Sequence, residues 1–200
     1  MPDLADPDAA LMLRVKRGDR AAFAALVGKY RQPLFNFICR TLRDEAESED
    51  VAQNVFLQVY KSRQRYQQTA KFSTWLFTIA RNLCLNEIRR RSRHPAESLE
   101  EHQTDHEDQP VRQYEDKRVH PPADHALHGE LADKIEEAIA ALPETQRTAL
   151  LLCRRDDLSY EEMAVILDCS LSATKSLIHR GRETLKEKLK PYLQSGHWSP

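Results

Sequence analysis

Two hundred residues suffice for two small helical domains or one medium domain, each with a modest core. Thirty Lys plus Arg against thirty-one Asp plus Glu leave a net charge of -1, so total charge selects no partner, although the charges are segregated along the chain. Only five glycines, few β-branched runs and abundant Ala, Leu, Glu, Arg and Gln argue against a sheet protein and for an all-α fold.

From Asp8 to Arg93 the pattern is helical almost throughout, with starts expected at Asp19, at Asp44 (a D-x-x-E capping box with Glu47) and at Ser73. Apolar stripes recur at Phe23, Leu26, Val27, Tyr30; at Leu34, Phe37, Ile38, Thr41 with Leu42, after Pro33; at Ala52, Val55, Phe56, Val59; and at Leu76, Ile79, Ala80, Leu83. These predict one four-helix domain over residues 8–93. Residues 94–125 lose the periodicity and collect His, Gln, acids and prolines. From Glu97 to Asp124 nine carboxylates face three bases, which predicts an acidic linker that is flexible when free.

A second domain is expected over residues 126–190, with a tail over 191–200. Leu127, Leu131, Ile135, Ala138 and Leu142 share a helical face ending at Pro143. Pro143 suits the first position of the next helix, which carries Ala149, Leu150 and Cys153. The run S-Y-E-E from Ser159 is a capping box opening a short helix with Met163, Ala164 and Leu167 inward. After a tight break at Asp168, Cys169 and Ser170, a longer helix follows.

That pair of helices has helix-turn-helix spacing. Ala164 is small where crossing helices must approach, and Ile166, Leu167, Leu171 and Ile178 fill the angle. From Lys175 to Lys190 six bases oppose Glu183 and Glu187, a net charge of +4. Ser172, Ala173, Lys175 and Ser176 lie at the end that would meet base edges and phosphates, with Lys175 and Ser176 foremost. A second constellation runs from Phe72 to Arg93, aromatic at its start and basic at its end. Arg89, Arg90, Arg91 and Arg93 suit phosphates; Tyr66, Phe72 and Trp75 carry π-faces for unpaired bases, although Trp75 falls near the core stripe. Asn82 and Asn86, four apart, project from one face toward bases that have left the stack.

These residues carry a family resemblance. The run from Ala46 to Tyr60 resembles the polymerase-binding helix of extracytoplasmic-function sigma factors. Phe72 to Arg93 is similar to their promoter-melting and minus-ten segment, and Leu142 to Leu189 to their minus-thirty-five domain. The resemblance implies that Asp50, Gln53, Asn54 and Phe56 dock on the β′ clamp helices of core RNA polymerase. It implies that Tyr66, Phe72, Trp75, Asn82, Asn86, Arg89 and Arg90 serve single-stranded minus-ten DNA. It further implies that Ser172, Ala173, Lys175, Ser176, His179 and Arg180 read duplex minus-thirty-five DNA. The β flap as a second polymerase contact, and an anti-sigma factor, follow as partners. The linker would thread toward the active-site channel and RNA exit path. The sequence departs from the family pattern at Asn54, Thr174, Leu177 and Gly181; a mid-helix Gly costs roughly 1 kcal/mol relative to Ala.

Other signals carry less. His102 with His106, and His125 with His128, have ligand-like spacing but lie in a polar stretch without cysteines, so no metal is expected. Cys39, Cys84, Cys153 and Cys169 form no C-x-x-C pair and are expected as reduced, mostly buried thiols. No Gly-rich phosphate loop, nucleophile elbow or H-E-x-x-H occurs, so neither a cofactor nor an enzyme is expected. No apolar leader or run near 18 residues is seen, which predicts a cytoplasmic protein without membrane insertion. The rival is a helix-turn-helix regulator that binds an operator without polymerase.

Overall fold

The computed structural model describes residues 6–93, 122–155 and 157–195, with side chains except over 122–130 and 193–195. Most of the expected linker, including His102 and His106, lies outside the described residues. Eight α-helices are found among those described: α1 (Pro7–Lys16), α2 (Arg20–Leu42), α3 (Glu45–Lys61), α4 (Phe72–Arg93), α5 (Pro122–Ala140), α6 (Glu144–Cys153), α7 (Tyr160–Leu167) and α8 (Leu171–Ser195). Arg63–Arg65 form a 3₁₀ turn between α3 and α4. No described helix is long and apolar enough to cross a membrane.

Local chemistry sets most of the helix starts. The Asp19 carboxylate accepts the Ala22 N–H at 3.0 Å and opens α2; Asp44 accepts the Glu47 N–H at 2.9 Å and opens α3. Ser159 and Glu162 complete a reciprocal capping box on α7, and the Ser170 hydroxyl accepts the Ala173 N–H at 3.1 Å at the head of α8. Three expectations shift by a few residues. Pro143 is the cap preceding α6 rather than its first residue, and α5 begins at Pro122, inside the stretch read as linker. Helix α4 begins at Phe72, not at Ser73, because its first N–H is capped from far away by the Asp6 carboxylate at 2.7 Å.

Helices α1 to α4 enclose a core built largely from the predicted stripes, with Leu26, Leu34, Ile38, Val55, Val59 and Leu76 at most 1 % exposed, and joined by fully buried Phe77, which the stripes did not include. Helices α5 to α8 enclose Leu152, Ile166, Met163 and Ile178. The two sets also pack on one another, α4 against α7 and α2 against α6, so that one apolar cluster runs through both. Polar contacts cross the same boundary. Lys71 donates to the Asp157 carbonyl at 3.1 Å and pairs with Glu162 at 3.3 Å, Arg40 pairs with Glu136 at 2.8 Å, and the Arg155 guanidinium lies 4.1 Å from the Phe77 ring centroid.

Gly181 is accounted for by packing. A Cβ there would fall 2.8 Å from Leu150 Cδ1, so the glycine lets α8 lie close on α6. Thr174, fully buried in place of an aliphatic residue, donates its hydroxyl to the Ser170 carbonyl at 3.1 Å and touches the Cys169 sulfur at 3.2 Å, which satisfies its polar atom inside the core. All four cysteines are free. Only Cys84 is buried, where desolvation pushes its thiol up to about 12; Cys39, Cys153 and Cys169 are half-buried, against the expectation of burial.

The end of α4 is tied to the start of α3. Arg91 donates through Nε to Glu47 at 2.7 Å and through Nη1 to the Leu42 carbonyl at 3.0 Å, with Asp44 3.6 Å from its other amino group. Arg91→Ala takes the guanidinium from all three acceptors and leaves half-sheltered Glu47 with Arg90 alone. It is expected to cost about 2 kcal/mol, lowering the thermal midpoint by about 4–8 °C in a calorimetric melt; an unchanged midpoint would show the clamp to be idle.

Candidate nucleic-acid and polymerase interfaces

Helix α3 presents two faces. Val51, Ala52, Val55 and Val59 point into the core, while Asp50, Gln53, Asn54 and Leu57 are exposed and Phe56 is half-buried. Between α3 and α2 lies an open groove of about 1060 Å³ whose lining includes Phe23, Arg31, Gln53, Phe56, Leu57 and Tyr60. Gln53 and Phe56 therefore meet in one groove. Asp50 and Asn54 are exposed on the same helix but do not line the groove. Leu57, 53 % exposed, escaped the sequence reading because it stands outside the apolar stripe; an uncovered leucine beside a groove marks a contact surface more than a core position.

On α4 the pattern splits. Asn82 and Asn86 are both exposed and one turn apart, and Arg89 is exposed a turn further on. Tyr66 and Phe72, expected to offer π-faces, are instead 3 % and 0 % exposed. Their rings pack with Trp75, which lies 4.9 Å from Tyr66 and 6.0 Å from Phe72 between centroids, and Tyr30 closes on Phe72 at 5.3 Å. Trp75 is half-buried, in keeping with its place beside the core stripe. The aromatic trio is a packed shoulder under the start of α4. Arg90 and Arg91, read as phosphate contacts, are engaged by carboxylates: Arg90 pairs with Glu87 at 2.9 Å and Glu47 at 3.2 Å.

The Tyr66 hydroxyl is buried with no hydrogen-bond partner among the described residues, and burial together with the nearby Asp6 charge pushes it up to about 12. An unpaired buried hydroxyl destabilises, so Tyr66→Phe is expected to raise the thermal midpoint by about 2–4 °C, equivalent to about 1 kcal/mol. A lowered midpoint would mean that the hydroxyl has a partner in solution.

On α8, Ser172, Lys175, Ser176, His179 and Arg180 are all exposed and recur at helical spacing on one face, with Ala173 half-buried at its margin. Leu177 is half-buried, and Thr174 and Ile178 anchor the opposite face. The break before α8 is made by Asp168 at φ 50°, the left-handed conformation in which the Cys169 N–H returns to the Ala164 carbonyl at 3.1 Å. That closure fixes α7 against α8 and leaves the basic face clear. Among the described residues no cluster of His, Cys, Asp and Glu is arranged to hold a metal.

Comparison with known proteins matches both halves of the chain. A family profile described as Sigma-70 region 2 matches residues 26–94, and one described as Sigma-70, region 4 matches residues 132–185. The RNA polymerase sigma-H factor of Pseudomonas aeruginosa is 34 % identical over 195 residues, covering 94 % of this chain and 97 % of its own. The ECF RNA polymerase sigma factor SigW of Bacillus subtilis is 33 % identical, covering 88 % and 94 %, and the ECF sigma-E factor of Escherichia coli K12 is 31 % identical, covering 94 % and 96 %. In fold, the chain is similar to CnrH, solved with the cytosolic domain of CnrY (TM-score 0.66, 22 % identity, 93 % of this chain and 99 % of that one). It is also similar to RpoE of Bartonella quintana, solved with the anti-sigma factor NepR (TM-score 0.64, 21 % identity, 84 % and 96 %).

Proposed function

Because the chain belongs to the sigma-70 family, in its extracytoplasmic-function group, we propose that separate faces of one small protein carry the separate steps of promoter recognition. It is an alternative sigma factor that binds core RNA polymerase and directs transcription initiation. The observation that carries the division of labour is the presence of two exposed polar faces on different helices, Asn82 with Asn86 on α4 and Ser172 to Arg180 on α8, apart from the groove beside α3.

The outer edge of α3 is the docking surface for the β′ clamp helices. Asp50, Gln53 and Asn54 meet their basic and polar groups, and Phe56 with Leu57 supplies the apolar area. Asn82 and Asn86 hydrogen-bond the edge of a minus-ten base that has left the stack, and Arg89 flanks the backbone. Tyr66, Phe72 and Trp75 support that surface from beneath, with Trp75 reaching its edge. Ser172, Ala173, Lys175, Ser176, His179 and Arg180 enter the major groove of the minus-thirty-five duplex, and the β flap holds this half in place. Residues 8–93 and 126–190 are the units so divided, joined by 94–125.

The chain contributes binding energy and no catalytic step. Unstacking costs roughly a few kcal/mol per step, within reach of captured bases, phosphate contacts and polymerase binding without any nucleotide cofactor. It acts in the cytoplasm, beside polymerase. An anti-sigma factor, as recorded for the Bartonella quintana protein, is its regulator and competes for these faces.

The test is transcription in vitro by purified core polymerase on a promoter library, read by start site. New start sites appear only when the chain is added. Binding to duplex sites by the chain alone, with no change in initiation, would place it with operator-binding regulators.

A further inference from the structure

Helix α1 lies ahead of the residues matched by the region 2 profile, which begin at residue 26, yet it touches both ends of the loop that leads into α4. At its head, the Asp6 carboxylate caps two helices at once. Oδ1 accepts the Asp8 N–H at 3.0 Å, opening α1, and Oδ2 accepts the Phe72 N–H at 2.7 Å, opening α4. Two positive helix ends converge on one negative group. At its tail, Lys16 donates to the Tyr66 carbonyl at 2.9 Å, and Gln64 donates to the Lys16 carbonyl at 3.0 Å.

The helix is itself held fast. Met12 and Val15 are at most 1 % exposed, and buried Asp8 accepts the Tyr30 hydroxyl at 2.6 Å and Lys29 at 2.5 Å from α2. Loop 62–71 contains no α-helix and otherwise rests on three short backbone turns, at Arg65, Tyr66 and Thr69, on the buried Tyr66 ring against Phe72 and Trp75, and on Lys71, which bonds Asp157 and Glu162. It carries Arg63, Arg65 and Lys71 with no acid, and Gln64, Arg65 and Gln67 are exposed.

We propose that α1 is a strut, fixed to α2, that pre-sets loop 62–71 and the first turn of α4, and that Asp6 and Lys16 are positioning residues for minus-ten recognition. The proposal rests on the assignment of Tyr66 to Asn86 to the minus-ten strand. A loop held at residues 64, 66 and 72 loses less freedom when DNA binds, so pre-setting it favours capture of the correct strand.

The experiment uses the full chain bound to core polymerase and measures affinity for a single-stranded minus-ten oligonucleotide relative to a scrambled one. Asp6→Ala and Lys16→Met are each expected to reduce that preference about five- to tenfold, with core affinity within twofold of the parent. Lys16→Arg, which keeps a donor, returns most of the preference, and Asp6→Asn, which keeps one acceptor, returns part. Preference unchanged in both Asp6→Ala and Lys16→Met would overturn the strut, and so would loss of core affinity in step with loss of preference. Asn82→Ala is run alongside. If it loses preference while the α1 variants keep it, the strut alone falls; if it keeps preference, the minus-ten assignment falls and the strut with it.

Discussion

Replacing Asn82 and Asn86 together by Ala is expected to lower promoter opening by about 30- to 150-fold, while affinity for core polymerase stays within twofold. Both side chains are exposed on one face of α4 and support nothing in the core, so their removal leaves the fold intact. Each amide bonded to a base edge in a desolvated complex contributes about 1–1.5 kcal/mol, and the pair about 2–3 kcal/mol. The readout is permanganate reactivity of unpaired thymines, or fluorescence of 2-aminopurine in the minus-ten element. Equal losses of opening and of core affinity would move Asn82 and Asn86 from the DNA surface to the polymerase surface.

The second large effect falls on the groove beside α3. Gln53→Ala with Phe56→Ala should weaken capture of core polymerase by at least about 100-fold, as expected when an aromatic anchor and its neighbouring amide are removed from the centre of an interface, about 3 kcal/mol or more. Phe56 also packs against the core cluster, so the pair alone would confound docking with stability. Leu57→Asp separates them. Leu57 is largely exposed, and a carboxylate there leaves the fold intact while placing a charge in the apolar contact. Competition binding against a labelled parent chain measures both variants. Parental affinity in Leu57→Asp and in the Gln53, Phe56 pair would remove α3 from the interface.

What was legible in the sequence is what is local. Caps at Asp19, Asp44 and Ser159 were readable because a short polar side chain serves an amide three residues on. The core stripes were readable because burial follows the helical period, and the exposed face from Ser172 to Arg180 follows from the same period on α8. Long-range contacts were not readable. The cap on Phe72 comes from Asp6, 66 residues earlier, and Arg91 turns from an apparent phosphate ligand into a clamp because Glu47, 44 residues earlier, lies against it.

The aromatic residues illustrate the same limit. A ring near a basic helix end suits both base stacking and core packing, and spacing does not separate them. Tyr66 and Phe72 proved buried because Tyr30 and Trp75 close around them from other turns and helices. Gly181 read as a departure costing helix stability, yet the proximity of Leu150 on α6 shows what its missing Cβ permits. The packing of α4 on α7 had no signal in the sequence at all, since each helix carries the apolar pattern of a domain of its own.

The most direct test of the central claim, that one chain grips promoter DNA in two ways while riding on polymerase, is a paired footprint of one promoter with the chain alone and with the chain on core. On core, thymines of the minus-ten element should become permanganate-reactive while an upstream duplex segment is protected, and the chain alone should do neither at the same concentration. Full duplex protection by the chain alone, with no thymine reactivity when core is present, would contradict the account.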